Sequence, residues 1–502
     1  MEPFADYDDY DAVGLAELVA KGDVHPGELV EAVALRIEAV NPAINAIVHE
    51  RLDEARHEAQ SEAQTGPFAG VPILIKDLVA EEETPVTFGS VFLRDFVAGI
   101  TSEFRHRIQE AGFIDLGRTN VPEFGLLPTT EPVLHGPTRN PWDLTRSSGG
   151  SSGGAAAAVA AGIVPLAQGS DGGGSIRIPA SACGIFGLKP SRGRLPRHPP
   201  TSGDSLSVDG ALTRSVRDTA AFLDAIGPPT AGEEHWAPPP ARSFADAVGA
   251  DPGSLRIAYS VRDFRGIRPH PDCEAAVIET AKLLNDLGHD VTEAAPDVDG
   301  AGLDEVFFTV WAARSEHYIS LVLDGAEQAE PRVGTLRRYL GDPHTMRIVS
   351  RVTSRETEAA AFEPFTFELV RRAARQTPGK LLASQVALQS VAHEIGRFLD
   401  TYDVLLTPVL GAPPVPLGTI DQTLPWPEFI ELLARYAPFT APANFSGLPA
   451  MSVPLYWTDG GLPVGSQFVG RFGDEETLLS LAGQLEAARP WADRRPPVYA
   501  EV

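Results

Sequence analysis

The chain holds 41 basic residues, and only five are lysines: Lys21, Lys76, Lys189, Lys282 and Lys380. Arginine supplies the ordinary surface charge, so each lysine invites its own explanation. Lys21 and Lys380 sit beside glycines at the ends of expected elements, and Lys282 lies in an expected helix; all three read as solvated. Lys76 differs. It ends the apolar run VPILI at 71–75, where an ammonium loses its water. Burial disfavours the charged form, so the pKa of such a lysine falls. A neutral lysine accepts a proton, which arginine does not. The competing reading is a strand-end lysine that reaches solvent or pairs with Asp77.

Two Gly/Ser loops supply the second chemical signal: GGSSGG at 149–154 and DGGGS at 171–175. Glycine lets the backbone approach a ligand closely and aim successive N–H groups at one point. A phosphate loop would need a Lys after its last glycine, and neither loop has one. An oxyanion hole is the better functional reading; tight turns without function are the alternative. Gly149 to Gly153 also matches G-x-S-x-G, the nucleophile elbow of α/β-hydrolases. That elbow follows a strand, whereas the preceding NPWDLTRS is polar and turn-like. The twelve histidines show no metal-ligand spacing.

These residues need elements to hold them. VPILI (71–75), IDLG (114–117), IVPLA (163–167), LRIAYS (255–260), DVTEA (290–294), DVLLTP (403–408), SVPLY (452–456) and VGSQFVG (464–470) read as short strands. Helices are expected at 27–40, ending before Asn41-Pro42, and at 101–112, 155–162, 273–287 and 474–488. Ser215 to Asp218 reads as a capping box that opens a helix to about Ile226. QGSDGGGS is expected as loop. Strands alternating with helices point to an α/β chain whose sheet is covered by helices. The expected segments are a helical stretch at 1–65, a core at 66–226, a Pro-rich linker at 227–250, and the remainder at 251–502, mainly helical over 302–400.

Composition bounds the function. The formal net charge is −27 over 502 residues. That disfavours nucleic acid and anionic membrane as partners and fits a small neutral or cationic substrate. No apolar stretch approaches the length of a membrane span. The acidic N-terminus does not resemble a signal peptide, so a cytoplasmic location is expected. Cys183 and Cys273 cannot build a disulfide framework or a Cys-rich zinc site.

Residues 149–196, GGSSGGAAAAVAAGIVPLAQGSDGGGSIRIPASACGIFGLKPSRGRLP, resemble the amidase signature family. GPFAGVPILIKDL (66–78), GRTNVPEFG (117–125), GPTRNPWD (136–143), LLTPVLGAPPVPLG (405–418) and PANFSGLPAMSVPL (442–455) resemble other segments of the family, so the likeness spans nearly the whole chain. The resemblance implies one large α/β/α domain with a mixed, twisted sheet covered by helices on both faces. It implies an amide-bond hydrolase with no metal and no cofactor, working through a Ser–cis-Ser–Lys triad. Carried over, Ser175 is the nucleophile, Ser151 the bridging serine 24 residues earlier, and Lys76 the base. The amides of Gly172, Gly173, Gly174 and Ser175 form the oxyanion hole, with Asp171 and Arg177 as structural support. Gly125 and Ser151 face the substrate. Trp311, in FFTVWAA, is expected either to line the acyl cleft or to be plain core. Ser170 stands where many members carry Thr, and Gly172 where many carry a larger residue.

Substrates implied are small linear or cyclic amides, with carbamates, anilides and small esters alongside. TTEP (129–132), PGSLR (252–256) and RPWADRRP (489–496) resemble the branch acting on cyclic aminohexanoate dimers, the nylon-oligomer amidases. A homodimer is compatible with this reading. Two alternatives stand beside it: the glutamine-hydrolysing subunit of a tRNA-dependent amidotransferase, and an α/β-hydrolase esterase using Ser151.

Overall fold

Lys76 is carried by a strand at the interior of a large sheet. The computed structural model describes residues 1–61, 65–197, 206–329 and 362–501. Among these residues eleven strands form one sheet: β1 (Ile47–Glu50), β2 (Pro72–Lys76), β3 (Ile114–Thr119), β6 (Leu166–Asp171), β7 (Phe186–Lys189), β8 (Val208–Thr213), β9 (Arg256–Tyr259), β10 (Asp290–Glu293), β11 (Val404–Pro408), β12 (Ala450–Trp457) and β13 (Pro463–Gly470). Two further strands, β4 (Arg139–Asn140) and β5 (Asp143–Ser147), pair as a separate ribbon. The sheet order is β1-β3-β2-β6-β8-β7-β12-β13-β11-β9-β10. Its pairing is mixed: β3-β2-β6 and β11-β9-β10 run parallel, and the centre from β6 to β11 is antiparallel.

Helices flank this sheet, as expected of an α/β chain. Gly153–Ala160 packs on β6 and β8, Arg177–Cys183 on β12 and β13, and Pro271–Asp286 on β11 and β13. Gly153–Ala160 consists of Gly, Ala and one Val, and every residue in it is buried. Small side chains on all sides let it lie close to several elements at once, so no amphipathic stripe is needed.

Several sequence expectations shift in the structure. The first 65 residues are not all helical, because Ile47–Glu50 adds an antiparallel edge strand beside β3. The helix expected to stop at Asn41 runs from Pro26 to Ile44, with Pro42 in its last turns and Asn45 as a left-handed cap. IVPLA is not the strand. Pro165 has no N–H to give a ladder, so the strand begins at Leu166. QGSD, expected as loop, is paired residue by residue with β8, from Gln168↔Ala211 to Asp171↔Val208. Neighbouring-strand pairing overrides its poor strand composition. Ser215 does cap the helix Val216–Ile226 through the Asp218 amide. Asp218 does not close the box; its carboxylate instead accepts the amides of Ala12 and Val13, 2.9 and 3.0 Å away. The linker at 227–250 contains a short helix, Phe244–Val248. Over 302–400 the helices are Leu303–Ala329, Pro364–Ala373 and Pro378–Thr401; the helical expectation for 330–361 lies outside the described residues.

A buried ion network braces the strand next to β2. Asp115 in β3 receives Arg118 at 2.6 Å and Arg51 at 2.7 Å, while Arg105 joins Glu81 at 2.9 Å. Arg118 also reaches Glu81. Burial pushes the Asp115 carboxyl up, but Arg118, Arg105 and Arg51 together bring it down to about 2. Removing one member of such a cluster strands the others without counter-charge. We expect Asp115→Ala to lower unfolding stability by about 3–5 kcal/mol in urea titration.

Candidate active site

Lys76 is the last residue of β2 and is fully buried. Its amide donates to Gln168 Oε1 at 3.0 Å, which fixes the strand end against β6. Its Nζ lies 2.8 Å from Ser151 Oγ, 2.8 Å from Ser152 Oγ and 3.1 Å from Ser170 Oγ. It does not pair with Asp77, whose carboxylate accepts the Thr87 amide at 3.0 Å. Among the described residues no carboxylate forms an ion pair with Nζ. Burial pushes Lys76 down to about 7, against an upward pull from Asp209 and Asp171. The solvent-reaching and ion-paired alternatives are both excluded.

Ser151 stands in the loop that feeds the helix Gly153–Ala160. The Gly150–Ser151 peptide is cis. Gly150 is needed for close approach, since a Cβ there would sit 2.7 Å from the Thr129 backbone. Thr130 pins the same loop, donating to the Gly149 carbonyl at 2.9 Å and accepting the Gly153 amide at 3.2 Å. The two Gly/Ser loops are joined directly: the Ser152 amide donates to the Ser175 carbonyl at 3.3 Å. Of the two contacts that the expected triad would need, one is present. Lys76 and Ser151 are in hydrogen-bond contact, whereas the Ser175 hydroxyl lines the cavity and bonds to no described residue, Ser151 included.

The second loop is folded around Asp171. One carboxylate oxygen accepts the Gly174 amide at 2.7 Å, Arg177 Nη2 at 2.9 Å and Asn444 Nδ2 at 2.8 Å. The other accepts the Ile176 amide at 3.2 Å and Arg177 Nε at 2.9 Å. Burial alone would raise this carboxyl, but the Arg177 guanidinium and these donors hold it well below the usual carboxylate range. Arg177 in turn donates to the Thr440 carbonyl, Gln467 Oε1 and Asn444 Oδ1 at 2.7–2.8 Å. Gly174 adopts φ +136°, and a Cβ there would strike the Thr440 side chain.

Of the four amides expected to face an oxyanion, one is engaged within its own loop. The Gly174 N–H is consumed by Asp171 and is not free for a ligand. The amides of Gly172, Gly173 and Ser175 carry no hydrogen bond to a described residue, so the available donors are those three. Gly172 is small for a visible reason. The Trp311 indole fills the space where a side chain would go, 3.2 Å from a built Cβ. Trp311 is thus not plain core. It stacks on Phe307 (centroids 5.5 Å apart) and lines the same cavity as Gly125, Gly173, Ser175 and Phe308. Gly125 has φ +69°, and a Cβ there would lie 3.3 Å from Ser151 Oγ.

Sequence reasoning passed over Ser152, Gln168, Thr440, Asn444 and Gln467 as individual residues. Asn444 lay inside the quoted PANFSGLPA segment, and Gln467 is a buried amide beside Ser466 in the mainly apolar VGSQFVG. A polar side chain at a core position of a strand was the usable signal. Among the described residues no group of three His, Cys, Asp or Glu could hold a metal ion, and no helix is long and apolar enough to cross a membrane.

The Amidase family profile matches residues 28–479. The chain is 38% identical to the 6-aminohexanoate-cyclic-dimer hydrolase of Paenarthrobacter ureafaciens, covering 97% of this chain and 96% of that one. It is 36% identical to the putative amidase AmiC of Mycobacterium leprae, over 96% of each chain. A solved structure of 6-aminohexanoate cyclic dimer hydrolase superposes with a TM-score of 0.86 at 35% identity, covering 97% of this chain and 99% of that one. A bacterial aryl acylamidase superposes at 0.80 and 27% identity, covering 96% and 97%. The chain belongs to the amidase family, the amidase signature enzymes.

Proposed function

We propose that this amidase cleaves its amides through an acyl-enzyme on Ser175, with Ser151 as the bridge and Lys76 as the base. The observation that carries the proposal is the contact of a fully buried, ion-pair-free Lys76 Nζ with Ser151 Oγ at 2.8 Å. Burial brings the proton affinity of this amine down to about 7, so near neutral pH a large share of it is uncharged and has a lone pair to offer. The esterase alternative on Ser151 needs a histidine base, and Ser151 Oγ meets Lys76 instead.

The steps follow from the contacts. Rotation of the free Ser175 hydroxyl brings it to Ser151, a closure that catalytic hydrogen bonds commonly complete only with substrate bound. Ser175 Oγ bonds to the carbonyl carbon as its proton passes to Ser151 Oγ, while Ser151 gives its own proton to Lys76 Nζ. The carbonyl π pair moves to oxygen and is held by the amides of Gly172, Gly173 and Ser175. Collapse breaks the C–N bond, and the leaving amine takes a proton back through Ser151 from the Lys76 ammonium. Water then attacks the ester carbon as its proton passes through Ser151 to Lys76; collapse breaks the bond from that carbon to Ser175 Oγ, which takes the proton back by the same route as the acid leaves. Asp171 and Arg177 keep the donor loop in shape.

The cavity wall of Phe307, Phe308 and Trp311 suits apolar acyl or aryl groups. Apolar walls discriminate weakly among similar chains, so small linear and cyclic amides, anilides, carbamates and small esters fall within its range. A chain of formal net charge −27 fits a small-molecule substrate and a cytoplasmic setting.

Ser175→Ala should lower amide hydrolysis by about a thousandfold or more while leaving the thermal midpoint in place, and should abolish fluorophosphonate labelling mapped by mass spectrometry. Labelling that persists on Ser151 would favour the esterase assignment. Lys76→Arg keeps the charge and loses the base; kcat/KM should fall about a hundred- to ten-thousandfold. In the wild type, kcat/KM should rise with pH through a limb near 7, because Lys76 works only after losing its proton. Trp311→Ala should raise KM for long-acyl anilides about tenfold and leave acetanilide little changed, as measured by steady-state kinetics.

A further inference from the structure

Lys76 must give up its proton before the reaction and become an ammonium during each acylation, while its side chain stays fully buried. Something has to stabilise that transient charge without neutralising the lysine beforehand. Two carboxylates face Lys76 Nζ electrostatically, Asp209 and Asp171. Asp171 is already saturated by Arg177, Asn444 and two amides. Asp209 is not committed in this way.

Its position is set by register. Asp209 in β8 lies directly opposite Ser170 in β6, so the two side chains share a sheet face. Gln168, two residues before Ser170, shares that face too. Gln168 bridges the strands: its Nε2 donates to Asp209 Oδ1 at 3.3 Å, and its Oε1 accepts the Lys76 amide at 3.0 Å. Ser170 Oγ, between them, is 3.1 Å from Lys76 Nζ. Asp209 is thus linked through Gln168 to the Lys76 amide and stands across the strand pair from the serine that touches Nζ, and among the described residues it forms no ion pair with Lys76. The other charged groups facing Asp209 are Arg197, which counters the upward push of burial, and Glu233, which adds to it.

We infer that Asp209 is a positioning residue for the reaction: held opposite Ser170 and bonded to Gln168, its carboxylate sets the proton affinity of Lys76 and stabilises the ammonium that forms when Ser175 attacks. A carboxylate in direct contact would hold the lysine permanently charged and end its service as a base. One a step further away favours the ammonium only partly, leaving the amine free at rest. This inference rests on the reading of Lys76 as the base.

Asp209→Asn tests it with little disturbance, because asparagine keeps the acceptor for Gln168 and removes only the charge. Removing the charge lowers the proton affinity of Lys76. The acid limb of kcat/KM, and of fluorophosphonate labelling of Ser175, should move to lower pH by about one unit. The plateau kcat on acetanilide should fall about tenfold, since the weaker base takes the proton less readily. Asp209→Glu should restore the wild-type limb. Asp209→Ser, also uncharged, should shift the limb as Asn does and serves if the Asn variant does not fold. A limb in the uncharged variants that coincides with the wild type overturns the inference, whatever happens to the rate. Loss of rate in all three variants with an unmoved limb also overturns it and assigns Asp209 to structure alone. Failure of the underlying reading looks different: the wild type itself would then lack a limb near 7, and Lys76→Arg would stay active.

Discussion

The whole active site depends on keeping one amine dry without giving it a counter-ion. An ammonium in that place would lose its hydration and gain only hydroxyls and a carbonyl in return. Its surroundings, three serine hydroxyls and, among the described residues, no carboxylate in contact, favour the neutral form. Moving Lys76 outward by a few residues would leave an ordinary solvated ammonium, and placing an aspartate against it would hold it charged as an ion pair. The position at the inner end of a central strand is what provides the seclusion.

Seclusion of this kind asks for rigid surroundings. β2 lies between β3 and β6, so the lysine is held from both sides. β3 is locked from behind by the Asp115–Arg118–Glu81 network. β6 carries Ser170 and Asp171 at its end, and the chain then turns through three glycines to Ser175. A small-residue helix and a shared amide–carbonyl bond hold the two serine loops against each other. Strand ends give the precision, and glycine turns give the freedom to bring backbone amides to one point.

Much of this could be read before any coordinates. Lysine scarcity singled out Lys76, and the apolar run before it foretold burial. The two Gly/Ser loops marked the places where backbone would face a ligand, and family likeness ordered the serines. Other parts were not readable for physical reasons. QGSD has the composition of a loop, and only its partner strand makes it β. The choice between Ser151 and Ser152 is invisible to chemistry alone, since both hydroxyls lie equally near Nζ. Gly174 looks like its two neighbouring glycines in sequence, yet only its amide is taken by Asp171. Asp209 sits in an unremarkable strand, SVDGALT, and its relation to Lys76 exists only through cross-strand register.

Arg177 shows why the enzyme is larger than its signature. All three residues of the proposed relay lie within the first 175 positions. Yet the guanidinium that shapes the glycine loop before Ser175 is gripped by Thr440, Asn444 and Gln467, more than 260 positions downstream. A gene fragment ending after the signature would encode every reacting group and lack the clasp that aligns them. Recombination between relatives should therefore succeed only where both ends of that clasp come from compatible parents, which ties the inheritance of the two halves together.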